Sequence, residues 1–318
     1  MINLFRTLLL VIFLLLGFNG HTERDTIEAN RLHQLGWSVR NSNPDSLLYY
    51  GEKELYLSQT ISYDLGIANA NTLIAFFYQK KTKYPKSLDY YTQALTVFEE
   101  INSGPHIASA LANIGNIHFK QSAYTKALRF YNQALDIRIE QKDSLAISSI
   151  NARLGLVHTE LGNYDRGLEF LYSSLNTYQH YNDKYGVAQS HNNLASNYYE
   201  QENLADALSH YKESLALFEE LNNMQGIAEV TNNIGEVYLK QEEAQLAMSH
   251  FETAIELFEE IGHKKGIVTI FQNMAWVNYY DGELYKARRN CLHALRENIS
   301  MSDREGEAEV LLLMGKIE

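Results

Sequence analysis

The amino-acid sequence predicts an all-α fold built from repeated pairs of helices. Three observations support this prediction. Small and apolar residues recur at intervals of forty positions along most of the chain. Within each interval the apolar residues are three, four and seven positions apart, which is typical of one face of an α-helix. Short polar segments such as QSA, QEN and DGE divide each interval, so each unit is expected to be a helix, a turn and a second helix.

The first twenty residues differ from the rest of the chain. An unbroken apolar run extends from Leu8 to Phe18. This run is shorter than the about 20 residues that a membrane span requires, but it suits the hydrophobic region of a secretory signal. Cleavage after Gly17 or Gly20 would leave a bulky residue two positions before the cut. We therefore interpret residues 1–20 as a signal peptide or an uncleaved N-terminal anchor, and we expect export across the inner membrane to a periplasmic or membrane-anchored location.

The repeat units are identified by an anchor position that recurs without insertions. The anchors are Gly66, His106, Ala146, Gly186, Gly226, Gly266 and Gly306. Nine residues after each anchor stands another small residue: Ala75, Gly115, Gly155, Ala195, Gly235, Ala275 and Gly315. Two further small columns, which include Ala207 and Ala254, indicate close contacts between helix backbones. We predict six 40-residue repeats over residues 66–305, and residues 306–318 are expected to form the first helix of a truncated further repeat.

The charge of the chain argues against nucleic-acid binding. The sequence contains 27 Lys and Arg against 39 Asp and Glu, which gives a net charge of −12. A protein of this charge would repel the phosphates that supply most of the affinity for nucleic acids. Only three Pro are present and 45% of the residues are hydrophobic, so a folded chain is expected.

The repeat columns resemble a known family. The segment NIGNIHFKQSAYTKALRFYNQAL, residues 113–135, resembles the tetratricopeptide repeat, although the period of forty is longer than the usual 34. The segment NPDSLLYYGEKELYL, residues 43–57, resembles the second helix of a degenerate first repeat over residues 27–62. The chain departs from the pattern in lacking the usual Pro after each second helix, and in having Arg153 where other repeats have Asn. The resemblance implies a right-handed solenoid whose first helices line a concave groove for a peptide or protein segment.

No catalytic or metal-binding constellation is recognisable in the sequence, and no cofactor is expected. Metal-protease, phosphate-loop and nucleophile-elbow motifs are absent. His118 and His158 are forty residues apart, and equivalent positions of stacked helices lie about 10 Å apart. Two such His cannot share a zinc ion, because Zn–N bonds are about 2.0–2.1 Å. We therefore predict that both His, and the single Cys291, pack in the core.

A polar stripe along the first helices is the candidate ligand groove. Its predicted residues are Asn113, Asn116, Asn192, Asn193, Tyr199, Asn232, Asn233, Gln272, Asn273, Trp276 and Tyr279. An Asn amide both donates and accepts hydrogen bonds, so stacked Asn could hold the backbone of an extended peptide while the aromatic residues contact its side chains. Alternatively, the Asn side chains bond one another and tie neighbouring repeats together. The sequence leaves both interpretations open.

The predicted function is an exported, non-enzymatic module that binds a peptide or protein segment. The resemblance is to the sensory region of bacterial signalling proteins, with an output region expected beyond Glu318. The segment EGEAEVLLLMGKIE stops where the next aromatic of the repeat is expected. The alternative is a freestanding periplasmic scaffold for envelope protein assembly. Membrane contact is expected only through the N-terminal segment or a missing C-terminal span, and the sequence names neither the ligand nor the oligomeric state.

Overall fold

The structure is a computed structural model that describes residues 23–40, 43–301 and 303–317. The predicted signal or anchor segment, residues 1–20, lies outside the described residues. Every regular element of the described residues is an α-helix, which confirms the predicted all-α fold. None of the helices in this part of the chain combines the length and the hydropathy that crossing a membrane requires.

The chain divides into two compact units between Lys142 and Asp143. The first unit contains α1 (23–39), α2 (Pro44–Thr60), α3 (Asp64–Lys80), α4 (Tyr84–Glu100), α5 (Gly104–Lys120) and α6 (Tyr124–Glu140). The second contains α7 (Ser144–Glu160), α8 (Tyr164–His180), α9 (Lys184–Glu200), α10 (Leu204–Glu220), α11 (Met224–Lys240), α12 (Ala244–Glu260), α13 (Lys264–Tyr280), α14 (Leu284–Met301) and α15 (Arg304–Ile317). Helices α3 to α14 are the six predicted pairs.

Each unit has a core made of successive small clusters. In the second unit, Ala207 and Tyr211 of α10 pack with Val230 of α11 and with Ala195 of α9. The next cluster contains residues of α11, α12 and α13. Each of these two clusters joins the two helices of one repeat to the first helix of the following repeat, which is the packing expected of a repeat protein.

The small columns mark close contacts between helices, as the sequence predicts, except at Gly315, where a Cβ atom would meet no atom within 4 Å. A Cβ atom added to Gly235 would lie 2.7 Å from Cε1 of Phe251. A Cβ atom at Gly226 would lie 2.6 Å from Cδ1 of Phe218. Ala207 and Ala254, in the other two columns, are fully buried. A larger side chain at these positions would have to displace an aromatic ring or a neighbouring helix.

From α2 to α14, the helices are joined by one type of tight turn. After α2, the Tyr63 amide donates to the Ser58 carbonyl (2.8 Å) and the Ser62 amide donates to the Gln59 carbonyl (3.3 Å). This pattern, with a left-handed residue at Ser62 (φ 53°), is the Schellman motif. Left-handed residues recur every twenty positions: Ser62, Thr82, Asn102, Ser122, Lys142, Gly162, Asn182, Glu202, Asn222, Glu242, Gly262 and Gly282.

Aromatic side chains stack across each of five hairpins. The partners are twelve residues apart, one on each helix, with ring centroids 5.3–5.6 Å apart in the pairs Tyr78–Tyr90, His118–Phe130, His158–Phe170, Tyr198–His210 and Tyr238–His250. His118 and His158 are half-buried, and burial lowers the pKa of both rings. These His therefore act as packing groups, although at the edge of the core rather than inside it.

Candidate functional site

The predicted site residues of the second unit lie on three successive first helices. We call Asn192 and Asn193 of α9, Asn232 and Asn233 of α11, and Gln272 and Asn273 of α13 the asparagine face. Asn232 is buried, whereas the other five are half-buried. These side chains are therefore partly accessible to a ligand and partly in contact with their neighbours.

Two hydrogen bonds connect the amides of the asparagine face from one repeat to the next. Nδ2 of Asn233 donates to Oδ1 of Asn192 (3.1 Å), and Nδ2 of Asn273 donates to Oδ1 of Asn232 (3.0 Å). We call this pair of bonds the asparagine ladder. These contacts follow the second of the two interpretations that the sequence leaves open. The role of the same amides as ligand contacts stays a prediction.

The asparagine ladder stops at α9 for a reason visible in the sequence. The residue equivalent to Asn192 and Asn232 in the preceding repeat is Ala152, which has no amide oxygen. Asn193 consequently makes no side-chain hydrogen bond within the described part of the chain, and Gln272 makes none there either. Their amides therefore have unused donors and acceptors for a ligand.

The two predicted residues of the first unit lie on α5. Asn116 accepts a hydrogen bond from the Tyr131 hydroxyl at 2.7 Å, so it is bonded within its own hairpin. Ser196 occupies the equivalent position in the second unit and lies 3.2 Å from the Tyr211 hydroxyl. Asn113 is half-buried. The position of Asn116 thus has a structural role in two repeats.

A cavity of about 840 Å³ adjoins the asparagine face in the second unit. Its lining includes Tyr199, Glu236, Lys240, Asn273, Trp276 and Tyr280. We call it the Glu236 cavity. It brings together three residues that the sequence predicts as groove residues, namely Tyr199, Asn273 and Trp276, from helices α9 and α13. A cavity of this size falls within the range of ligand sites, although its lining is more polar than that of most of them.

Glu236 is the acceptor for two members of the asparagine face. Its Oε1 accepts hydrogen bonds from Nδ2 of Asn232 (2.9 Å) and from Nδ2 of Asn273 (2.7 Å). Burial raises the pKa of Glu236 above the usual value for a carboxyl group, although these two bonds oppose the shift. Burial also raises the pKa of Tyr199 to about 12, and the nearby Glu236 carboxylate adds to the effect.

Two aromatic rings that line the same cavity each contact a Lys side chain. Nζ of Lys240 lies 4.5 Å from the ring centroid of Tyr199, and Nζ of Lys316 lies 5.4 Å from that of Trp276. The rings of Trp276 and Tyr280 stack at 5.8 Å. Tyr279 packs against the edge of Trp276, also at 5.8 Å, and is not among the residues that line the cavity.

The predicted site omits several residues that line this cavity, among them Glu236, Lys240 and Tyr280. Glu236 follows its anchor by ten residues, at the position of Asn116, Ser196 and Trp276, so its place on the stripe was recognisable. Glu236 is charged, whereas these three residues are uncharged, and this difference indicates a special role. Lys240 and Tyr280 stand at the ends of their helices, where the repeat pattern gives no signal. Within the described ranges, no three His, Cys, Asp or Glu side chains are grouped as metal ligands.

The fold and the repeated sequence columns together define a tetratricopeptide repeat protein. The family model described as tetratricopeptide repeat matches residues 66–140, 146–220 and 226–296, which is more than half of the chain. The chain therefore belongs to the tetratricopeptide repeat family. No curated protein matches the sequence.

Three solved structures have a similar fold. Their sequences are only 14–16% identical to this chain, so the similarity concerns the fold alone. A Rap protein complexed with competence and sporulation factor matches with a TM-score of 0.65 and 14% identity, over 93% of this chain and 98% of that one. The Rap conjugation gene regulator of plasmid pLS20, in complex with a Phr peptide, matches with a TM-score of 0.66 and 15% identity, over 84% of this chain and 72% of that one. A signal transduction ATPase with a tetratricopeptide repeat sensor, from Pyrococcus horikoshii, matches with a TM-score of 0.64 and 16% identity, over 92% of this chain and 42% of that one.

Proposed function

We propose that this chain is a module that binds a peptide or protein segment at the asparagine face. The observation that carries the proposal is the Glu236 cavity, which lies beside half-buried amides on successive helices of the second unit. The free amides of Asn193 and Gln272 can accept from and donate to a peptide backbone. Two of the similar structures, both Rap proteins, are complexes with competence and sporulation factor and with a Phr peptide, which supports the same use of the fold here.

The proposal extends to the location and role of the module. We propose that the chain is exported and that it is the sensory part of a bacterial signal-transduction protein. The apolar run from Leu8 to Phe18 supports export. The tetratricopeptide repeat sensor of the Pyrococcus horikoshii ATPase supports a sensory role for this kind of fold. A freestanding periplasmic scaffold stays the alternative to the sensory role.

Binding is tested by selection from a random peptide library on the immobilised full chain. We expect peptides to be enriched, and their affinity to fall when Trp276 is replaced by Leu in the Glu236 cavity. The control is Tyr285→Leu, because Tyr285 is 81% exposed on α14 and lies outside the cavity. A chain that enriches no peptide, or that loses no affinity with Trp276→Leu, contradicts this proposal.

Export is tested separately with a fusion of residues 1–60 to a reporter that is active only outside the cytoplasm. We expect an active reporter, because the apolar run suits a secretory signal. A second fusion with Leu14→Arg interrupts that run and should be inactive. An inactive first fusion would rule out the sensory and the periplasmic alternatives alike, while leaving peptide binding untouched.

A further inference from the structure

The Glu236 carboxylate presents one oxygen that the protein does not use. Both hydrogen bonds to this side chain, from Asn232 and from Asn273, end on Oε1. Oε2 accepts no hydrogen bond from the residues that the structure describes. Because Glu236 lines the cavity, the two amides orient its carboxylate while one oxygen stays available for a ligand.

The charges of the cavity favour a positively charged ligand. Glu236, Glu242 and Asp281 contribute three acidic groups to the lining, against the single ammonium group of Lys240. That ammonium is directed elsewhere, because it lies over the Tyr199 ring and 3.7 Å from the carboxylate of Glu202. No basic group of the described protein therefore neutralises Glu236 directly.

Two aromatic rings of the cavity are already arranged to contact cations. Tyr199 and Trp276 each have a Lys ammonium within 5.4 Å of the ring centroid, from Lys240 and Lys316. A cation close to a Tyr or Trp ring is stabilised by about 0.5–1 kcal/mol at exposed sites and by more in desolvated ones. A ligand cation at Glu236 would therefore meet both a carboxylate and aromatic walls.

We propose that the Glu236 cavity binds a Lys or Arg side chain of the peptide ligand, with Oε2 of Glu236 as its hydrogen-bond acceptor. This inference rests on the proposed peptide-binding function and names the class of residue that the ligand must contain. The cavity shares Asn273 with the asparagine face, so in this proposal the backbone that carries the basic residue lies along that face. Glu236 is thus the residue that determines specificity within an otherwise backbone-directed site.

The experiment compares peptide selection on three full-length proteins: the wild type, Glu236→Gln and Glu252→Gln. The Gln variant at 236 keeps the size of the side chain and an oxygen for the two Asn donors. Glu252 is exposed on α12 and lies outside the cavity, so its variant controls for the loss of one negative charge. We expect Lys or Arg to be enriched at one peptide position with the wild type and with Glu252→Gln, but not with Glu236→Gln.

A second measurement changes the peptide as well as the protein. A selected peptide is resynthesised with citrulline, which is neutral and similar in shape, in place of its Arg. Hydrogen bonds to charged groups are the strong ones, so the wild type should lose about tenfold or more in affinity for the citrulline peptide. Glu236→Gln should bind both peptides with similar affinity. The melting temperature of this variant, measured beside the wild type, shows that it is folded.

The outcomes separate the two proposals. If no peptide is enriched by the wild type, the proposed peptide-binding function fails and this inference fails with it. If peptides are enriched without a basic preference, or if Glu236→Gln keeps that preference, the inference is overturned while peptide binding stands. Equal affinity of the wild type for the Arg and citrulline peptides overturns the inference in the same way.

Discussion

The Asn side chains of the asparagine face differ in what they do for the protein. Asn233 and Asn273 each donate a hydrogen bond to an Asn of the preceding repeat, whereas Asn193 faces Ala152 and has no such acceptor. Asn is about 0.7 kcal/mol less favourable than Ala in a helix interior. The two ladder residues offset this cost with bonds between helices, but Asn193 has no bond within the described protein that offsets it.

This difference predicts opposite effects of the same substitution. Asn233→Ala and Asn273→Ala should each lower the free energy of unfolding by about 1–3 kcal/mol, because they remove the donors to half-buried Asn192 and to buried Asn232 in the neighbouring helix. Asn193→Ala should leave stability unchanged or raise it by up to about 0.7 kcal/mol. Chemical unfolding of the three single variants measures both effects. Three equal responses would show that the asparagine ladder contributes nothing to stability.

A chain of partly buried hydrogen bonds connects three side chains of the first unit. Nε1 of Trp37 donates to Nε2 of His33 (2.9 Å), so the neutral ring carries its proton on Nδ1 and donates it to Glu54 Oε2 at 3.1 Å. Glu54 is completely buried, and its Oε1 has no hydrogen-bond partner. Burial raises the pKa of Glu54, and the bond from His33 opposes this shift.

The raised pKa of Glu54 predicts how stability depends on pH. A carboxyl group whose pKa is higher in the folded than in the unfolded state contributes its full stability below the unfolded value of about 4.3. That contribution is lost as the pH rises through the folded pKa. Glu54→Gln should therefore be more stable than the wild type at pH 7, with the difference shrinking towards about pH 4. Denaturant titrations at both pH values test this, with exposed Glu52→Gln as the control. A difference that grows on acidification would contradict the assignment.

The sequence predicted which positions form the site better than it predicted their partners. Tyr199, Asn273 and Trp276 do line one cavity, as their places on the helical stripe suggest. The bond from Asn273 to Glu236 joins residues 37 positions apart, so it depends on how neighbouring helices are offset. Periodicity places a residue on a face of its own helix, but the length and direction of a contact between helices depend on their packing.

At the scale of the elements, the connections are more uniform than the sequence suggests. Each connection between α2 and α14 has its left-handed residue at the same place, although the residue there is Gly at only three positions, Gly162, Gly262 and Gly282. Other side chains in this conformation cost about 1–2 kcal/mol each. The repeated Schellman bonds maintain the turn even where the local residue, such as Glu242, disfavours it.

Two Gly residues without close neighbours allow the cost of the left-handed conformation to be measured separately from steric clashes. A Cβ atom at Gly262 (φ 67°) or at Gly315 would have no atom within 4 Å, so neither substitution creates a clash. Gly262→Ala should lower the free energy of unfolding by about 1 kcal/mol, because Ala disfavours the left-handed conformation. Gly315→Ala, within α15, should raise it by up to about 1 kcal/mol. Unfolding curves of the two variants should therefore shift in opposite directions, and a shift of both in one direction would refute the argument.

At the scale of the whole molecule, the sequence predicted the repeats but not the division into two units. The spacing of forty continues through residue 142 without insertion, so nothing in the pattern marks a boundary there. Inside the second unit, each core cluster shares a helix with the next, as α11 does between its two clusters. A disturbance in one cluster should therefore reach the helices of its neighbours.

Ala207→Leu tests this coupling. Ala207 is fully buried among α9, α10 and α11, so the larger side chain should cost about 1–3 kcal/mol through overpacking. Ala216→Leu, at an exposed position of the same helix, is the matched control and should cost little. Hydrogen exchange should show faster opening of α9 to α12 in the Ala207 variant alone. Loosening confined to α10 would mean that the repeats of this unit behave independently.

The even spacing of the turns has a consequence for how such a gene can change. Loss of the codons for residues 226–265 would join two identical points of the repeat, so each helix at the new junction would keep its length and its phase. Asn273 would then follow Asn192 directly, and the same amide bond could form between them. A loss that is not a multiple of twenty residues, the spacing of the turns, would change the length of the helix at the junction and rotate the residues that follow the junction in that helix. A single deletion of one whole repeat is therefore expected to give a protein that still folds.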